Sequence, residues 1–318
     1  MKVNFISLAI ASAFAAFTLT SCGEDSPNNP APDPFGGVAR AKFHNQTFEG
    51  TGVVFEIEPK GKLDVIKYRF EIEGKDIFHD KNLNGKKDAD EKLDNKFKGI
   101  LEMPAKNNKG LFVILGDVYK IDFLFQDEIL PRSSNQRPNW VKSSNFDGSR
   151  SLTLTELYWW YAGMKEIVLN GKRNIKNLRI GRNEISDSSI LKGLDNIENL
   201  EIENNKLSGD IDLRYLKNIK GAIWVGYNKE ANFILPEKSD ANSVGLEDTK
   251  TKAFNPKNYP NLEFLDVYEL AKNGMNIEEV INNLPDRTGK EQGELNITKE
   301  EYNKHKATLD KKNWWVDY

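Results

Sequence analysis

Between Ala41 and Leu115 apolar and polar residues alternate with a period of two. Ile66, Tyr68, Phe70 and Ile72 interleave with Lys67, Arg69, Glu71 and Glu73, which gives a strand one apolar and one charged face. Val53, Phe55 and Ile57 repeat the pattern, and Leu111 to Leu115 is an apolar run suited to a buried strand. No helical periodicity competes. Residues 41–115 are therefore expected to form a small β-sandwich-like domain.

Beyond that domain the pattern repeats. Ile175, Leu178, Ile180, Asn183 and Ile185 fit the leucine-rich frame L-x-x-L-x-L-x-x-N-x-L, and Ile197, Leu200, Ile202, Asn205 and Leu207 fit it again. Ile223, Val225 and Asn228 fit with a small irregularity, and Leu154, Leu157, Trp159 and Met164 fit with Ala162 in place of Asn. Val118, Ile121 and Phe123 open the series, and Leu262, Leu265 and Val267 close it. The strand centres at 123, 159, 180, 202, 225 and 267 are 21 to 23 residues apart in the middle of the series. The wider outer gaps imply loop insertions at 124–153 and 229–261. The three apolar residues of each copy turn into a shared core, and the Asn side chain can satisfy backbone groups where the chain leaves the strand. Residues 116–270 are thus expected to be a short, irregular leucine-rich-repeat solenoid, which needs a cover at its end.

Residues 271–318 are suited to that role as an α/β C-terminal cap. Asn276 and Glu279 make a capping-box-like start for a short helix carrying Val280, Ile281 and Leu284, which Pro285 ends. Leu295 and Ile297 suggest a strand, Thr298 with Glu301 starts a second helix, and Trp314-Trp315-Val316 reads as a final strand. The fold class expected is mixed β and α/β.

The start of the chain reads as an address. Lys2 precedes an apolar, Ala-rich stretch from Phe5 to Leu19, shorter than the roughly 20 residues that span a bilayer and typical of a signal peptide over residues 1–21. It ends in Leu19-Thr20-Ser21-Cys22, similar to the bacterial lipobox, and Cys22 is the only cysteine of the 318 residues. Cys22 is the expected lipidation site; the alternative is a plain secretory signal with an incidental Cys. Residues 22–40 hold four closely spaced prolines, an extended tether. The acidic pair Glu24-Asp25 resembles a Bacteroidetes lipoprotein export signal, so an outer-membrane, lipid-anchored and surface-exposed location is expected. A formal net charge of −3 lacks the cationic surplus of a nucleic-acid binder. One Cys and three His exclude an intramolecular disulfide and argue against a structural zinc site.

One segment carries metal chemistry. Asp80 to Glu91 matches the EF-hand-like calcium loop D-x-[DN]-x-[DN]-G-x5-E at each specified position. Asp80, Asn82, Asn84, the Lys86 carbonyl, Asp88 and Glu91 are the candidate ligands of one Ca2+, with Gly85 at the sharp turn. A strand precedes the loop where an EF-hand has a helix. The alternative is a polar hairpin built on the Asn84-Gly85 turn.

In a leucine-rich solenoid the residues between core positions face the concave sheet. These are Asp122, Tyr158, Arg179, Glu201, Trp224 and Asp266, with Leu124, Trp160, Gly181, Glu203, Gly226 and Tyr268 in the next outward column. Aromatic and Arg residues are enriched in binding hot spots, so Tyr158, Trp160, Arg179, Trp224 and Tyr268 form the candidate ligand-binding surface. Either they are exposed together, or the two insertions fold over them. The three His are scattered and no nucleophile motif or phosphate loop is present, so no catalytic residue is assigned and an enzyme is not expected.

The whole arrangement resembles the leucine-rich-repeat surface lipoproteins of Bacteroidetes, sometimes called internalin-like. The carriers are the Asp80–Glu91 segment ahead of the repeats, Leu115-Gly116-Asp117-Val118 at their start, and, after them, Leu284-Pro285-Asp286-Arg287-Thr288-Gly289 with Lys312, Trp314 and Val316. This chain has fewer and less regular repeats than that family. The resemblance implies a non-enzymatic adhesion or interaction protein, anchored to the membrane through Cys22, with a protein partner on the concave face. The alternative is a cell-surface glycan-binding lipoprotein serving nutrient capture.

Overall fold

The computed structural model describes residues 39–40, 47–48, 50–124, 141–169 and 172–318. The expected signal peptide, Cys22 and most of the tether lie outside the described residues, as does 125–140 of the first expected insertion.

The period-two segments are strands. β1 (Ala39–Arg40) and β2 (Thr47–Phe48) form a short antiparallel pair. β3 (Gly52–Pro59), β4 (Val65–His79), β5 (Lys96–Pro104) and β6 (Gly110–Leu124) are longer. β4 lies antiparallel between β5 and β6, and β3 runs antiparallel to the first half of β6. The alternation buries Ile66, Phe70 and Ile72, as the pattern requires. β7 (Val141–Gly148) pairs antiparallel with β3. β8 (Glu156–Tyr158) then lies parallel to the second half of β6, and β9 (Met164–Leu169) parallel to β7.

From β8 onward the chain returns to one sheet again and again. β10 (Asn177–Arg179), β11 (Asn199–Glu201), β13 (Ala222–Trp224), β15 (Ser243–Gly245), β16 (Phe264–Asp266), β17 (Gly293–Asn296) and β18 (Trp314–Asp317) add in that order, all parallel. Leu157, Leu178, Leu200, Ile223, Val244, Leu265, Leu295 and Val316 stand in register and are all buried. β12 (Ser208–Asp212) and β14 (Glu230–Ile234) form a separate two-stranded parallel sheet. The helices are α1 (Ile277–Asn283), where the Asn276 side chain caps Glu279 N at 3.1 Å, and α2 (Lys299–Lys311), with a Thr298–Glu301 capping box. The molecule is thus mostly β, with a mixed sheet and two helices among the described residues.

A repeated turn ends these strands. Tyr161, Arg182, Asn204, Tyr227, Asp248 and Glu269 all adopt left-handed φ between 51° and 61°. Each is followed by a buried residue: Ala162, Asn183, Asn205, Asn228, Thr249 and Leu270. The Asn183, Asn205 and Asn228 side chains donate to carbonyls of their own turn and of the preceding one, and accept from Met164 N, Ile185 N and Leu207 N at 3.0 to 3.1 Å. A single amide therefore closes one turn and ties it to its neighbour. That is the physical reason for Asn at this position.

Three expectations change. The boundary at 115–116 falls inside β6, which belongs both to the antiparallel strands and to the parallel ladder. Gly116 makes this possible: its φ is +109°, and a Cβ there would stand 2.2 Å from the Asp76 carbonyl oxygen. The two regions also share one apolar core, in which Phe55, Phe70, Phe123 and Phe146 surround the fully buried Trp159 at centroid distances of 5.0 to 6.0 Å. A self-contained sandwich does not form. Second, the stretch 229–261 is not a loop insertion. It supplies β14 and the ladder strand β15, whose frame was hidden because Ala241 and Thr249 stand where Ile or Leu and Asn stand elsewhere. Thr249 does part of the Asn's work, its Oγ1 donating to the Leu246 carbonyl at 2.7 Å. Third, 141–148 of the first expected insertion is strand β7, and not loop.

Candidate functional site

The face of the ladder turned away from the core carries two columns. Asp122, Tyr158, Arg179, Glu201, Trp224, Gly245, Asp266, Asn296 and Asp317 stand side by side on neighbouring strands. The parallel column holds Lys120, Glu156, Asn177, Asn199, Ala222, Ser243, Phe264, Glu294 and Trp315. Neighbours in register across a sheet lie about 4.8 Å apart, so each column is a strip of side chains, interrupted in the first at Gly245.

The predicted aromatic set divides into two stations. In the first, Arg179 stacks on Tyr158 at 5.3 Å and pairs with Glu201 at 3.1 Å, and Lys120 lies over the same ring at 5.5 Å while bound to Glu71 at 2.7 Å. Tyr158 donates to Glu156 at 2.7 Å. Lys120, Tyr158, Arg179 and Glu201, with Asp122, Phe123 and Trp160, line an open cavity of about 440 Å³. Arg182 lies over Trp160 and Tyr161, at 5.9 and 4.8 Å. Burial pushes the Asp122 and Glu201 carboxyls and the Tyr158 phenol upward. Lys120 and Arg179 are already paired with carboxylates of the protein itself.

The second station lies three strands further along. Trp224 stacks with Phe264 (5.6 Å between centroids, 27° between planes), and its indole N–H donates to Ser243 Oγ at 2.6 Å. It crosses Gly245, where a Cβ would sit 3.7 Å from the indole Cγ. Because Gly245 has no side chain, the ring can lie along the sheet. Asp266 accepts from Tyr268 N and from the Asn296 amide, both at 3.0 Å. Burial and the neighbouring Asp266 raise Glu247 to about 7. Tyr268 is exposed beyond the strand end. The five predicted residues are therefore not one patch: Tyr158, Trp160 and Arg179 meet, whereas Trp224 and Tyr268 belong to the other station. Phe264, Ser243 and Gly245 escape the sequence pattern because β15, the strand that aligns them, lacks the full leucine-rich frame.

Between the stations Glu203 is buried at 6% exposure, with neither carboxylate oxygen hydrogen-bonded. It fills the space over Gly181, where a Cβ would meet it at 2.3 Å. Desolvation raises this carboxyl to about 7.

The candidate calcium loop is gathered at the end of β4. Asp80 is fully buried and accepts from Asn84 N at 3.0 Å and Gly85 N at 2.8 Å. Glu91 Oε1 accepts from Lys81 N and Asn82 N, while its buried Oε2 has no hydrogen-bond partner. Asp88 Oδ2 accepts from the amides of both Asn82 and Asn84, at 2.8 and 2.7 Å. Five predicted side chains thus converge, and Gly85 takes a φ of +76°. Among the described residues no three His, Cys, Asp or Glu side chains form a ready metal cluster. The set fits calcium only by recruiting amide and carbonyl oxygens, which this ion accepts. His79 next to the loop is fully buried, stacks on Phe112 at 5.9 Å and is lowered to about 4 by burial. It is a neutral core residue.

Comparison with protein-family models, with curated proteins and with solved structures gives no match.

Proposed function

We propose that this is a surface-anchored, non-enzymatic binding protein: a short leucine-rich-repeat solenoid, internalin-like, held to the outer membrane by lipid on Cys22. It captures a protein partner on the outward face of its parallel ladder. The observation that carries this reading is the strip of aromatic and charged side chains on consecutive in-register strands, including half-buried Tyr158, Arg179 and Trp224. Such residues are the usual anchors of protein interfaces. One Ca2+ on the Asp80–Glu91 loop, with Lys86 contributing its carbonyl, serves to stiffen the antiparallel strands.

The reading is tested by recovery of partners from a cell-surface extract on the immobilised chain. Recovery should fall when Tyr158, Trp160, Trp224 and Tyr268 are replaced together. Unchanged recovery by that variant would remove the face from consideration. Cys22→Ala should move the protein from the membrane fraction to the soluble one.

A further inference from the structure

The two halves of the outward face differ in charge. Around Tyr158 the cations Lys120 and Arg179 are present and are paired internally with Glu71 and Glu201. From β13 to β18 the two columns contain no Lys or Arg at all. They contain Asp266, Glu294 and Asp317, together with Trp224, Phe264 and Trp315. Trp315 is 49% exposed, and Asp317 beside it is exposed as well. Among the described residues no cation lies over Trp224, Phe264 or Trp315, whereas cations do cover Tyr158, Trp160 and Tyr318. Lys229 and Lys272 are tied to Asp248 and Glu269 at 3.2 and 2.6 Å.

We propose that the C-terminal half of this face docks a Lys- or Arg-rich segment of the partner protein. The flat side chains of Trp224, Phe264 and Trp315 receive the cationic side chains, and Glu294 and Asp317 complement their charge. The proposal rests on the protein-binding reading above and names the chemistry of the partner.

Three physical points support it. Like charges gathered on adjacent strands repel one another, and a cationic ligand relieves that repulsion where a neutral one does not. Trp is the strongest aromatic partner for a cation, and the indole of Trp224, next to Gly245, is half-buried and carries no cation over it among the described residues. Finally, Trp224, Phe264 and Glu294 are half-buried, which weakens solvent screening at these three positions.

The test is titration of the full chain with a synthetic Arg/Lys-Gly peptide, an equally long Glu-Gly peptide and a neutral oligosaccharide, each at low and high salt. The basic peptide should bind and the other two should not. Trp315→Ala, an exposed position whose replacement spares the core, should weaken binding about tenfold or more, as should the Glu294→Gln/Asp317→Asn pair. Binding of the oligosaccharide alone would overturn the proposal. So would basic-peptide binding that vanishes with salt yet ignores both Trp224→Ala and Trp315→Ala, since that is unspecific charge attraction. If the basic peptide fails but partner recovery still depends on Trp224, only this inference falls. If recovery ignores all the aromatics, the protein-binding reading falls with it.

Discussion

The side-chain amide of Asn205 donates to the Ile180 carbonyl, a residue of the preceding turn, at 3.0 Å. The same nitrogen donates to Ile202 O at 3.0 Å, and the amide oxygen accepts from Ile185 N at 3.0 Å. Asn205→Leu keeps the volume but leaves the buried Ile185 N–H without its partner and takes one of two Asn donors from each of the Ile180 and Ile202 carbonyls. One unsatisfied buried group costs about 1–3 kcal/mol, so with the two weakened carbonyls a loss of about 2–3 kcal/mol is expected in urea unfolding. A loss below about 1 kcal/mol would mean that water or a shifted turn replaces the amide.

Glu203 should make stability depend on pH. Its folded carboxyl titrates at about 7 because burial penalises the charge, against 4.5 for the ordinary group. A raised acid favours the folded state while protonated. That contribution is intact below about 4.5 and drains away as pH rises toward 7. Glu201 opposes ionisation and Arg182 assists it. At about 1.4 kcal/mol per pH unit the loss approaches 3 kcal/mol. Glu203→Gln cannot ionise, so its advantage over the parent should be small at pH 4 and about 3 kcal/mol at pH 8. Parallel stability curves for the two proteins would show that Glu203 is solvated after all.

Much of this architecture could be read from spacing. Leu178, Leu200 and Ile223 lie on a regular period and carry Asn at the turn, so their strands were visible. Val244 was not, because Ala241 and Thr249 satisfy the same packing and hydrogen-bonding demands with other chemistry. Period alone also hides what residues do after folding. Arg179 reads as a free hot-spot cation, yet it pairs with Glu201 and stacks on Tyr158. Phe264 reads as an ordinary strand residue until β15 brings it against Trp224. Gly116 shows the same limit: a glycine that ends one strand and a glycine that bends a long one, as here within β6, look alike in sequence.

Calcium should stabilise the chain through the Asp80–Glu91 loop. For an extracellular-grade site with Kd of about 10⁻⁴ to 10⁻³ M, about 10 mM calcium adds about 1.4–2.7 kcal/mol. The melting temperature should rise accordingly over that in chelator, and Glu91→Gln should abolish the difference. Equal melting temperatures for the parent in calcium and chelator would leave the loop as a hydrogen-bonded turn only.

Trp159 joins the antiparallel strands to the ladder. Its ring meets Phe55, Phe70, Phe123 and Phe146, and its indole N–H donates to Ser144 Oγ at 3.0 Å, which in turn donates to the Ala162 carbonyl at 2.8 Å. Because these rings come from β3, β4, β6 and β7, neither region has a complete core without the other. Trp159→Ala should therefore cost about 3–5 kcal/mol. The loss should appear equally in hydrogen-exchange protection of β3 and of β10 if both report the same global opening. Loosening confined to β3, with β10 protected as in the parent, would show instead that the ladder folds independently. The shared ring cluster would then be a contact between two cores.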